Sequence, residues 1–362
     1  MKAELTELIC CPACHNHLEI TALEHRDEEI WQGHLDCPVC QSQYPICNGL
    51  PHLYVNDEKW APKAIEAEGW VAYHKNLGIY DQGDDPVDFK IPYYPEEPWI
   101  KVGRSFDVAM QELNLSGTET VLDLGAGRGW AAKEFAKRGC RVVALDVVSD
   151  ENVGLGRAKA IMDHHDVYFD RIIADGENLP FIAQKFDVVF CAAALHHSSN
   201  LPLLLQNIQK VLKANGQLCA INEPCIPVFE NEQLILKRDA MPELELGINE
   251  TRPDMLTYAS ALQKAHLHLI RTFPVQGYQM SEVNLRQWGQ QLGTFMPHFQ
   301  LRQPRTYLKQ LSHFYGRRFF AWRNGRYAQA KRFLDQHPDK LGLHILVWSG
   351  GELFLIAQKH QD

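Results

Sequence analysis

The stretch VLDLGAGRGW at residues 121–130 restricts the possible folds more than any other part of this sequence. An apolar run typical of a buried strand carries Asp123 near its end, and three glycines follow at alternate positions before a helical pattern begins. Because glycine has no side chain, such a turn lets the backbone approach a ligand closely. The spacing differs from the G-x-G-x-x-G of dinucleotide-binding folds, and there is no G-K-[ST] ending of a phosphate-binding loop. The stretch therefore predicts a strand–turn–helix that binds another kind of ligand.

Strand and helix patterns alternate regularly around this turn. Apolar strand patterns are present at 119–125, 141–147, 168–175, 186–192 and 216–222. Helical patterns at 129–139, 152–162 and 201–213 separate them. This order predicts an α/β fold with a parallel, doubly wound sheet. Further along, the patterns predict a helix at 257–265, a strand at 267–273 and a terminal hairpin around Gly350–Gly351.

Acidic residues end the next two predicted strands. Asp146 follows RVVAL and Asp175 follows RIIA. The carboxyl ends of neighbouring parallel strands form the ligand crevice of doubly wound folds, where a carboxylate at the second strand tip can accept both hydroxyls of a ribose. Glycines and acids at three neighbouring strand tips therefore predict a ligand site.

These motifs resemble, over residues 118–222, those of the class I S-adenosylmethionine-dependent methyltransferases. The resemblance implies a Rossmann-like, seven-stranded sheet, S-adenosylmethionine as cofactor and methyl transfer as the activity. It also implies that the glycine loop lies under the methionine part of the cofactor and that Asp175 accepts from the adenine amino group. The cofactor-binding residues expected on this basis are Asp123, Gly125, Ala126, Gly127, Gly129, Trp130, Asp146, Val147, Asp175, Gly176 and Ala193.

Three residues are candidates for catalysis. His196 and His197 follow the fourth predicted strand, whose tip faces the transferred methyl group in this family, and Glu223 lies at the tip of the fifth. Histidine has a pKa suited to general-base catalysis near neutral pH. The alternatives are packing or capping roles for the histidines and loop anchoring for Glu223. An acceptor that is already a good nucleophile would need no base.

Two cysteine pairs mark a separate N-terminal module. Cys11, Cys14, Cys37 and Cys40 form C-x2-C-x22-C-x2-C, with proline after the first cysteine of each pair. This spacing is typical of a structural Zn²⁺ site, in which four thiolates fill the coordination sphere. A module of about 55 residues has a small core, so a metal would contribute much of its stability. Cys10 is an alternative to Cys11.

The module also carries a family resemblance. Residues 5–55, with QYPICNGLPHLYV after the second pair, resemble the small zinc-ribbon activator of tRNA, rRNA and translation-factor methyltransferases. In that family the ribbon pairs with a separate catalytic subunit, so here it is expected to dock either on the core or on a partner protein. A bacterial rRNA guanine methyltransferase also begins with a zinc finger, but its second ligand pair ends in histidine at wider spacing.

The charge is distributed unevenly. The net charge is −9, whereas residues 1–60 carry −7 and residues 299–334 carry +9 with no acid. A net acidic protein is unsuited to coating nucleic acid non-specifically, but the basic aromatic stretch could bind an anionic acceptor or RNA. The alternatives are amphipathic helices with core-facing aromatics and a solvated basic face, or docking of the stretch on the acidic N-terminal module. No apolar run is long enough to span a membrane, and the acidic N-terminus and ten cysteines predict a cytoplasmic protein.

These features together predict the domain organisation and the function. The expected units are a zinc ribbon at 1–55, a linker or cap over the active site at 56–103, a methyltransferase core at 104–274 and 337–362, and a basic aromatic helical insertion at 275–336 that acts as a substrate lid. The expected reaction is methyl transfer to an oxygen or nitrogen atom of a small-molecule, sugar or lipid-type acceptor. An RNA methyltransferase is the first alternative, and a non-catalytic binding protein is the second.

Overall fold

The computed structural model describes residues 1–81, 86–239, 241–298 and 304–360. The N-terminal module is an antiparallel sheet with strand order β1-β2-β3-β4. Its strands are β1 (Glu19–Arg26), β2 (Glu29–Asp36), β3 (Gln43–Cys47) and the two-residue β4 (Leu50–Pro51). The sequence prediction of a small zinc-ribbon domain is compatible with this sheet and with the cysteines that precede and follow β1 and β2.

A seven-stranded sheet forms the core, in the order β10-β11-β9-β8-β5-β6-β7. Its strands are β5 (Thr120–Leu124), β6 (Arg141–Asp146), β7 (Asp170–Ile173), β8 (Phe186–Ala192), β9 (Leu212–Cys225), β10 (Leu267–Pro274) and β11 (Gly351–Lys359). Strands β5 to β9 pair in parallel, and β11 and β10 add two antiparallel pairings at one side. The predicted Rossmann-like α/β fold is confirmed.

Helices cover both faces of this sheet. They are α1 (Ala61–Asn76), α2 (Trp99–Leu113), α3 (Trp130–Ala136), α4 (Ala158–His165), α5 (Leu201–Val211), α6 (Glu232–Arg238), α7 (Pro242–Glu245), α8 (Met255–Lys264), α9 (Glu282–Gln291), α10 (Pro304–Arg323), α11 (Tyr327–Asp335) and α12 (Leu341–Ser349). The central strands are apolar and buried on both sides, as parallel strands between two helical layers must be. None of the described helices combines the length and the apolar content that crossing a membrane requires.

The N-terminal module packs on the free edge of the core sheet. His52 forms a parallel bridge with Ile173 of β7, and the Leu53 N–H donates to the Ile173 carbonyl at 2.8 Å. On the next segment, the Ile182 N–H donates to the Leu8 carbonyl at 2.8 Å. Because an uncovered edge strand presents unpaired backbone groups, these bonds cover an edge that would otherwise be open.

The segment 275–350 is a long excursion from one corner of the sheet. It leaves after Pro274 and returns at Gly351, and Pro274 of β10 is directly paired with Leu353 of β11. Gly351 is in turn paired with Cys225, at the carboxyl end of β9. The whole excursion therefore begins and ends at the same edge as the carboxyl ends of the parallel strands.

Three predicted elements differ from the structure. The helix expected from residue 152 begins at Ala158, because the chain first turns back on itself, with the Leu155 N–H donating to the Val148 carbonyl at 2.9 Å. The turn needs glycine, since a Cβ on Gly154 would lie 2.0 Å from that carbonyl oxygen. The first arm of the terminal hairpin is helix α12, whose apolar residues are buried all round. A short, wholly apolar run fits a buried helix and a buried strand equally well. The linker expected over 56–103 contains α1 and the start of α2.

Candidate functional site

A cavity of about 300 Å³ opens at the carboxyl ends of β5, β6, β7 and β8. Its floor is formed by the turns that follow these strands. Its roof comes from the segment expected to be a linker or cap over the active site: Lys63, Glu66, Trp70 and His74 of α1, with Ile91 and Trp99. The described residues of 275–298 and 304–336 do not line it, so the lid role expected for that insertion stays a prediction.

The glycine loop forms one wall of the cavity. The N–H groups of Gly125 and Ala126 both donate to the Leu145 carbonyl, which fixes the turn against β6. Gly125 has φ +73°, and a Cβ there would lie 2.5 Å from the Cβ of Ala194. Gly127 has φ +55° and nothing within 4 Å of an added Cβ, so its backbone faces open space. The first glycine brings two strand tips together, and the second leaves room for a ligand.

Asp123 and Gly129, both expected to bind cofactor, lie behind this wall. The Asp123 carboxylate is buried and accepts the Ala132 N–H at 2.9 Å, which ties β5 to the first turn of α3. Burial raises the pKa of Asp123 to about 7. A Cβ on Gly129 would lie 2.9 Å from the Phe169 ring and 3.3 Å from the Cβ of Ala158, so this glycine permits the packing of the loop against the start of α4 and the residue before β7. Neither residue lines the cavity.

Asp146 and Asp175, which follow or end the next two strands, also line the cavity. The Asp146 carboxylate accepts the N–H groups of Gly127 at 2.7 Å and Val148 at 2.9 Å. These bonds fix the carboxylate beside the loop, and it keeps unused lone pairs for a ligand. Asp175 accepts the Glu177 N–H at 2.9 Å through one oxygen. Burial raises the pKa of both aspartates.

A charged pair from α1 faces these aspartates. The Lys63 ammonium lies 2.9 Å from Glu66 and 4.0 Å from Glu177. Burial opposes its charge, but the surrounding carboxylates raise the pKa of Lys63 above its ordinary value. The sequence reasoning did not identify these residues, although Pro62 at the start of an alanine-rich segment is a helix signal.

A buried aspartate holds the roof to the glycine loop. Asp88 lies between two arginines, 2.8 Å from Arg128 of the loop and 2.9 Å from Arg157. Arg128 also donates to the Asn152 carbonyl at 2.9 Å. The segment around Asp88 is therefore pinned over the loop by charge-assisted hydrogen bonds, which are stronger than neutral ones.

The three candidate catalytic residues lie together, but only one of them lines the cavity. Glu223 is fully buried, and its carboxylate accepts the N–H groups of Ala194 at 2.8 Å and Leu195 at 2.9 Å. Its second oxygen lies 2.8 Å from Nδ1 of His196. Glu223 therefore holds the turn after β8 from behind. His197 is the member of this group whose side chain is part of the cavity wall.

His196 is held in its charged form. Burial alone would lower its pKa, but Glu223 on one ring nitrogen and Glu250, 3.7 Å from the other, raise the pKa of His196 to about 9. Glu250 is also paired with Arg252 at 2.8 Å. Two carboxylates are thus balanced by an imidazolium and a guanidinium.

His197 is in the opposite state. Burial and the positive charge of His196, whose ring centre is 4.1 Å away, lower the pKa of His197 to about 4. Nδ1 of His197 lies 2.6 Å from the Asn249 carbonyl oxygen, which can only accept a hydrogen bond. The proton of the neutral ring is therefore on Nδ1, and Nε2 carries a lone pair.

His196, His197 and Glu250 also have the spacing of a metal site, with possible ligand atoms within 4.8 Å of one another. Their atoms already have partners, however. Arg252 and Glu223 neutralise Glu250 and His196, and the Asn249 carbonyl occupies Nδ1 of His197. The cluster is therefore best described as a self-balanced group of charges beside the cavity.

The four predicted metal ligands converge in the N-terminal module. The Sγ atoms of Cys11, Cys14, Cys37 and Cys40 lie within 4.8 Å of one another, with Cys11–Cys40 and Cys14–Cys37 each at 3.5 Å. Tetrahedral Zn²⁺ with bonds of about 2.3 Å needs sulfurs about 3.8 Å apart, so this donor set fits the ion.

The two cysteine pairs have equivalent backbones. The His15 N–H donates to the Cys11 carbonyl and the Gln41 N–H to the Cys37 carbonyl, and His15 and Gln41 both have positive φ. The repeated knuckle is consistent with the predicted zinc ribbon.

The structure brings most of the expected cofactor residues to one cavity. Those that line it are Gly125, Ala126, Gly127, Trp130, Asp146, Val147, Asp175, Gly176 and Ala193. The cavity dimensions, the bare Gly127 backbone and the anchored carboxylate of Asp146 fit a nucleoside-sized cofactor.

Comparisons with known proteins identify relatives of this region. A family model described as a methyltransferase domain matches residues 122–220. A demethylmenaquinone methyltransferase of Corynebacterium urealyticum is 30% identical over 181 residues, which are 49% of this chain and 71% of the relative. The biotin biosynthesis bifunctional protein BioHC of Cellvibrio japonicus is 31% identical over 97 residues, which are 27% of this chain and 18% of that protein.

Among solved structures, a phosphoethanolamine N-methyltransferase 2 of Haemonchus contortus in complex with S-adenosyl-L-methionine is similar with a TM-score of 0.45 and 16% identity. The similarity covers 88% of this chain and 62% of that one.

Proposed function

This chain belongs to the class I S-adenosylmethionine-dependent methyltransferases, and from that premise we propose that it methylates an oxygen or nitrogen atom of a small-molecule, sugar or lipid-type acceptor. One observation carries the proposal: the glycine loop, Asp146, Asp175 and His197 all line a single cavity roofed by α1. A roofed cavity with tryptophans in its wall suits a small acceptor. A relative named demethylmenaquinone methyltransferase supports the same class.

In the proposed cofactor site, the residues at each strand tip bind a different part of the cofactor. Asp146 would accept the ribose hydroxyls, because its carboxylate is already oriented by Gly127 and Val148. Asp175 would receive the adenine amino group on the oxygen that does not accept from Glu177. S-adenosylmethionine, when bound, supplies a methyl group activated for in-line displacement.

We assign the proton-accepting role to His197. A general base must be unprotonated at the working pH, and His197 is held neutral with its lone pair on Nε2. His196 is charged and Glu223 is fully buried, so both are assigned as positioning residues that hold the turn carrying His197. The roof formed by Trp70 and Trp99 would exclude water while the acceptor is aligned.

The four cysteine thiolates are proposed to bind one structural Zn²⁺. All four ligand positions are then filled by protein, so the ion has no part in the reaction. Its role is to hold the module that covers β7 and touches the segment after Asp175.

The cofactor site is tested by calorimetry with S-adenosylhomocysteine. Asp146→Asn should weaken binding at least tenfold, because the ribose loses a charged acceptor. Asp163→Asn removes an exposed carboxylate on α4 and should bind like the wild type. Equal binding by Asp146→Asn and the wild type would contradict the proposed site.

The acceptor class is tested with trideuteromethyl-labelled cofactor. The protein is incubated with a cell extract separated into small-molecule, RNA and protein fractions, and the label is traced by mass spectrometry. The label should enter the small-molecule fraction with the wild type. His197→Gln should still bind S-adenosylhomocysteine but transfer at least tenfold more slowly. Label in the RNA fraction alone would support the RNA methyltransferase instead.

A further inference from the structure

Helix α10 presents an apolar stripe to solvent. Leu308, Tyr315, Phe319 and Trp322 are spaced by seven, four and three residues, which places them on one side of the helix. All four are more than half exposed, from 54% for Phe319 to 68% for Trp322. Contiguous exposed apolar surface of this kind marks an interaction site on most proteins.

Basic residues flank this stripe. Arg305, Lys309 and Arg323 are exposed beside it, and none of them forms an ion pair with a described residue. We call these three residues, with Leu308, Tyr315, Phe319 and Trp322, the α10 face. No acidic residue occurs anywhere in α10. Arg302 and the rest of 299–303 lie outside the described residues.

The opposite side of α10 fixes the helix to the protein. Arg318 donates to the Thr294 carbonyl at 2.8 Å and stacks on the Trp348 ring, and burial lowers the pKa of Arg318 to about 10. Arg317 donates to the Trp348 carbonyl, and Ala321 is fully buried. The five basic residues of α10 are therefore divided into two arginines that fix the helix to the protein and three that face outward.

The helix lies on the side of the sheet where the cavity opens. Asn324, just after α10, donates to the Val228 carbonyl at 3.2 Å, in the segment that follows the carboxyl end of β9. The C-terminal end of α10, which carries Trp322, therefore lies near the edge of the sheet at which the cavity opens. This position suits a docking surface that holds the cavity close to the source of the acceptor.

The charges decide between the possible occupants of the α10 face. If a second copy packed on it through the same face, Arg305, Lys309 and Arg323 of both copies would meet with no acid on either helix, and like charges at an interface are costly. RNA would use the cations and could stack bases on the three aromatic rings, but it offers no apolar partner for Leu308 at the start of the stripe. An anionic lipid surface can bind both the apolar stripe and the basic residues. The apolar side chains enter the acyl boundary, and the cations contact the headgroups.

We propose that the α10 face docks this protein on an anionic lipid surface. The inference is separate from methyl transfer, because it concerns where the protein resides and would hold for any acceptor. A helix of this type lies in the plane of the interface and does not cross the bilayer.

Vesicle sedimentation with the full chain tests the proposal. The probes are vesicles of phosphatidylcholine with phosphatidylglycerol and vesicles of phosphatidylcholine alone. The protein should bind the anionic vesicles and lose most of that binding as salt screens the charges. Phe319→Ser/Trp322→Ser should bind at least tenfold more weakly. Arg305→Gln/Arg323→Gln should also bind at least tenfold more weakly, since each cation near such a surface contributes about fivefold.

Matched variants control for general effects of these changes. Lys331→Gln/Arg332→Gln removes two cations from the neighbouring α11, and Leu23→Ser/Leu234→Ser removes two exposed leucines elsewhere; both should bind like the wild type. Thermal melts establish that each variant is folded. The proposal is overturned if the wild type does not bind anionic vesicles, or if the α10 variants bind them as well as the controls do. It is also overturned if the α10 face mediates dimerisation or RNA binding and the protein does not bind vesicles.

Discussion

At the scale of single residues, two adjacent histidines occupy opposite protonation states. His196 lies between Glu223 and Glu250, whereas His197 is buried, with Nδ1 at 2.6 Å from the Asn249 carbonyl oxygen and at 3.9 Å from Glu250. Each state follows from the nearest groups, so the sequence alone, which shows two identical residues, could not assign them. The assignment decides which of the two is available to accept a proton.

Imidazole NMR should resolve the two states directly. With labelled histidine, His197 should titrate near pH 4 and show the tautomer with the proton on Nδ1, and His196 should titrate near pH 9. The variants His196→Gln and His197→Gln assign the two signals. A His197 signal that titrates near pH 6.5 would show that its neighbours do not hold it neutral.

The same pair predicts a loss of stability in alkali. Because the folded-state pKa of His196 is raised above its unfolded value near 6.5, its contribution to stability is complete below that pH and disappears as the pH rises through about 9. The free energy of unfolding should therefore fall by at most about 3 kcal/mol between pH 7 and pH 10. Urea unfolding at several pH values measures this change, and His196→Gln should be less stable at pH 7 but lack most of the alkaline loss.

At the scale of elements, two glycines of the same loop have different structural roles. Gly125 allows close contact between two strand tips, and Gly127 leaves open space for a ligand. Their spacing in the sequence indicates a loop but does not distinguish these roles, which depend on Ala194 from another strand.

Alanine substitutions separate the two roles. Gly125→Ala must accommodate both a positive φ and a Cβ at 2.5 Å from Ala194, so it should destabilise the fold by more than about 2 kcal/mol. Gly127→Ala meets only the backbone strain, about 1 to 2 kcal/mol, and its methyl group would project toward the cofactor. Urea unfolding should rank Gly125→Ala below Gly127→Ala, and both should bind S-adenosylhomocysteine more weakly. Equal stability of the two variants would contradict the close contact at Ala194.

The sequence predicted the floor of the site much better than its roof. Local patterns mark strands, tight turns and strand-tip acids, and these place Gly125, Asp146 and Asp175 at one edge of the sheet. The roof depends on long-range packing, such as the contacts of Asp88 with Arg128 and Arg157, which leave no periodic signal. The strand predicted at α12 is wrong for a different reason: burial on all sides removes the polar face that identifies a helix.

At the scale of the whole molecule, the N-terminal module and the core share one interior. A single hydrophobic cluster includes Leu5, Ile9 and Leu35 of the module together with Leu122 and Leu145 of the core sheet. Because burying this surface stabilises both parts at once, the module should not unfold independently.

Metal removal should therefore weaken the entire protein. Cys40→Ser removes a proposed ligand, and Cys47→Ser removes an exposed cysteine nearby that is not one. Cys40→Ser should lose bound zinc, lower the melting temperature by several degrees and weaken S-adenosylhomocysteine binding, because Pro12 accepts a hydrogen bond from Asn178 close to Asp175. Metal analysis and calorimetry provide the measurements. An unchanged zinc content in Cys40→Ser, or an equal loss in Cys47→Ser, would contradict the proposed ligand set.

The layout of the 275–350 excursion has an evolutionary consequence. Since it departs and returns at paired positions, Pro274 and Leu353, it is attached to the sheet as the loop of a single hairpin. Such a cassette can grow, shrink or be exchanged between lineages while strand register and the catalytic floor are inherited unchanged. Relatives that share this core would then differ chiefly in the surfaces and partners they bind, while the cofactor site stays the same.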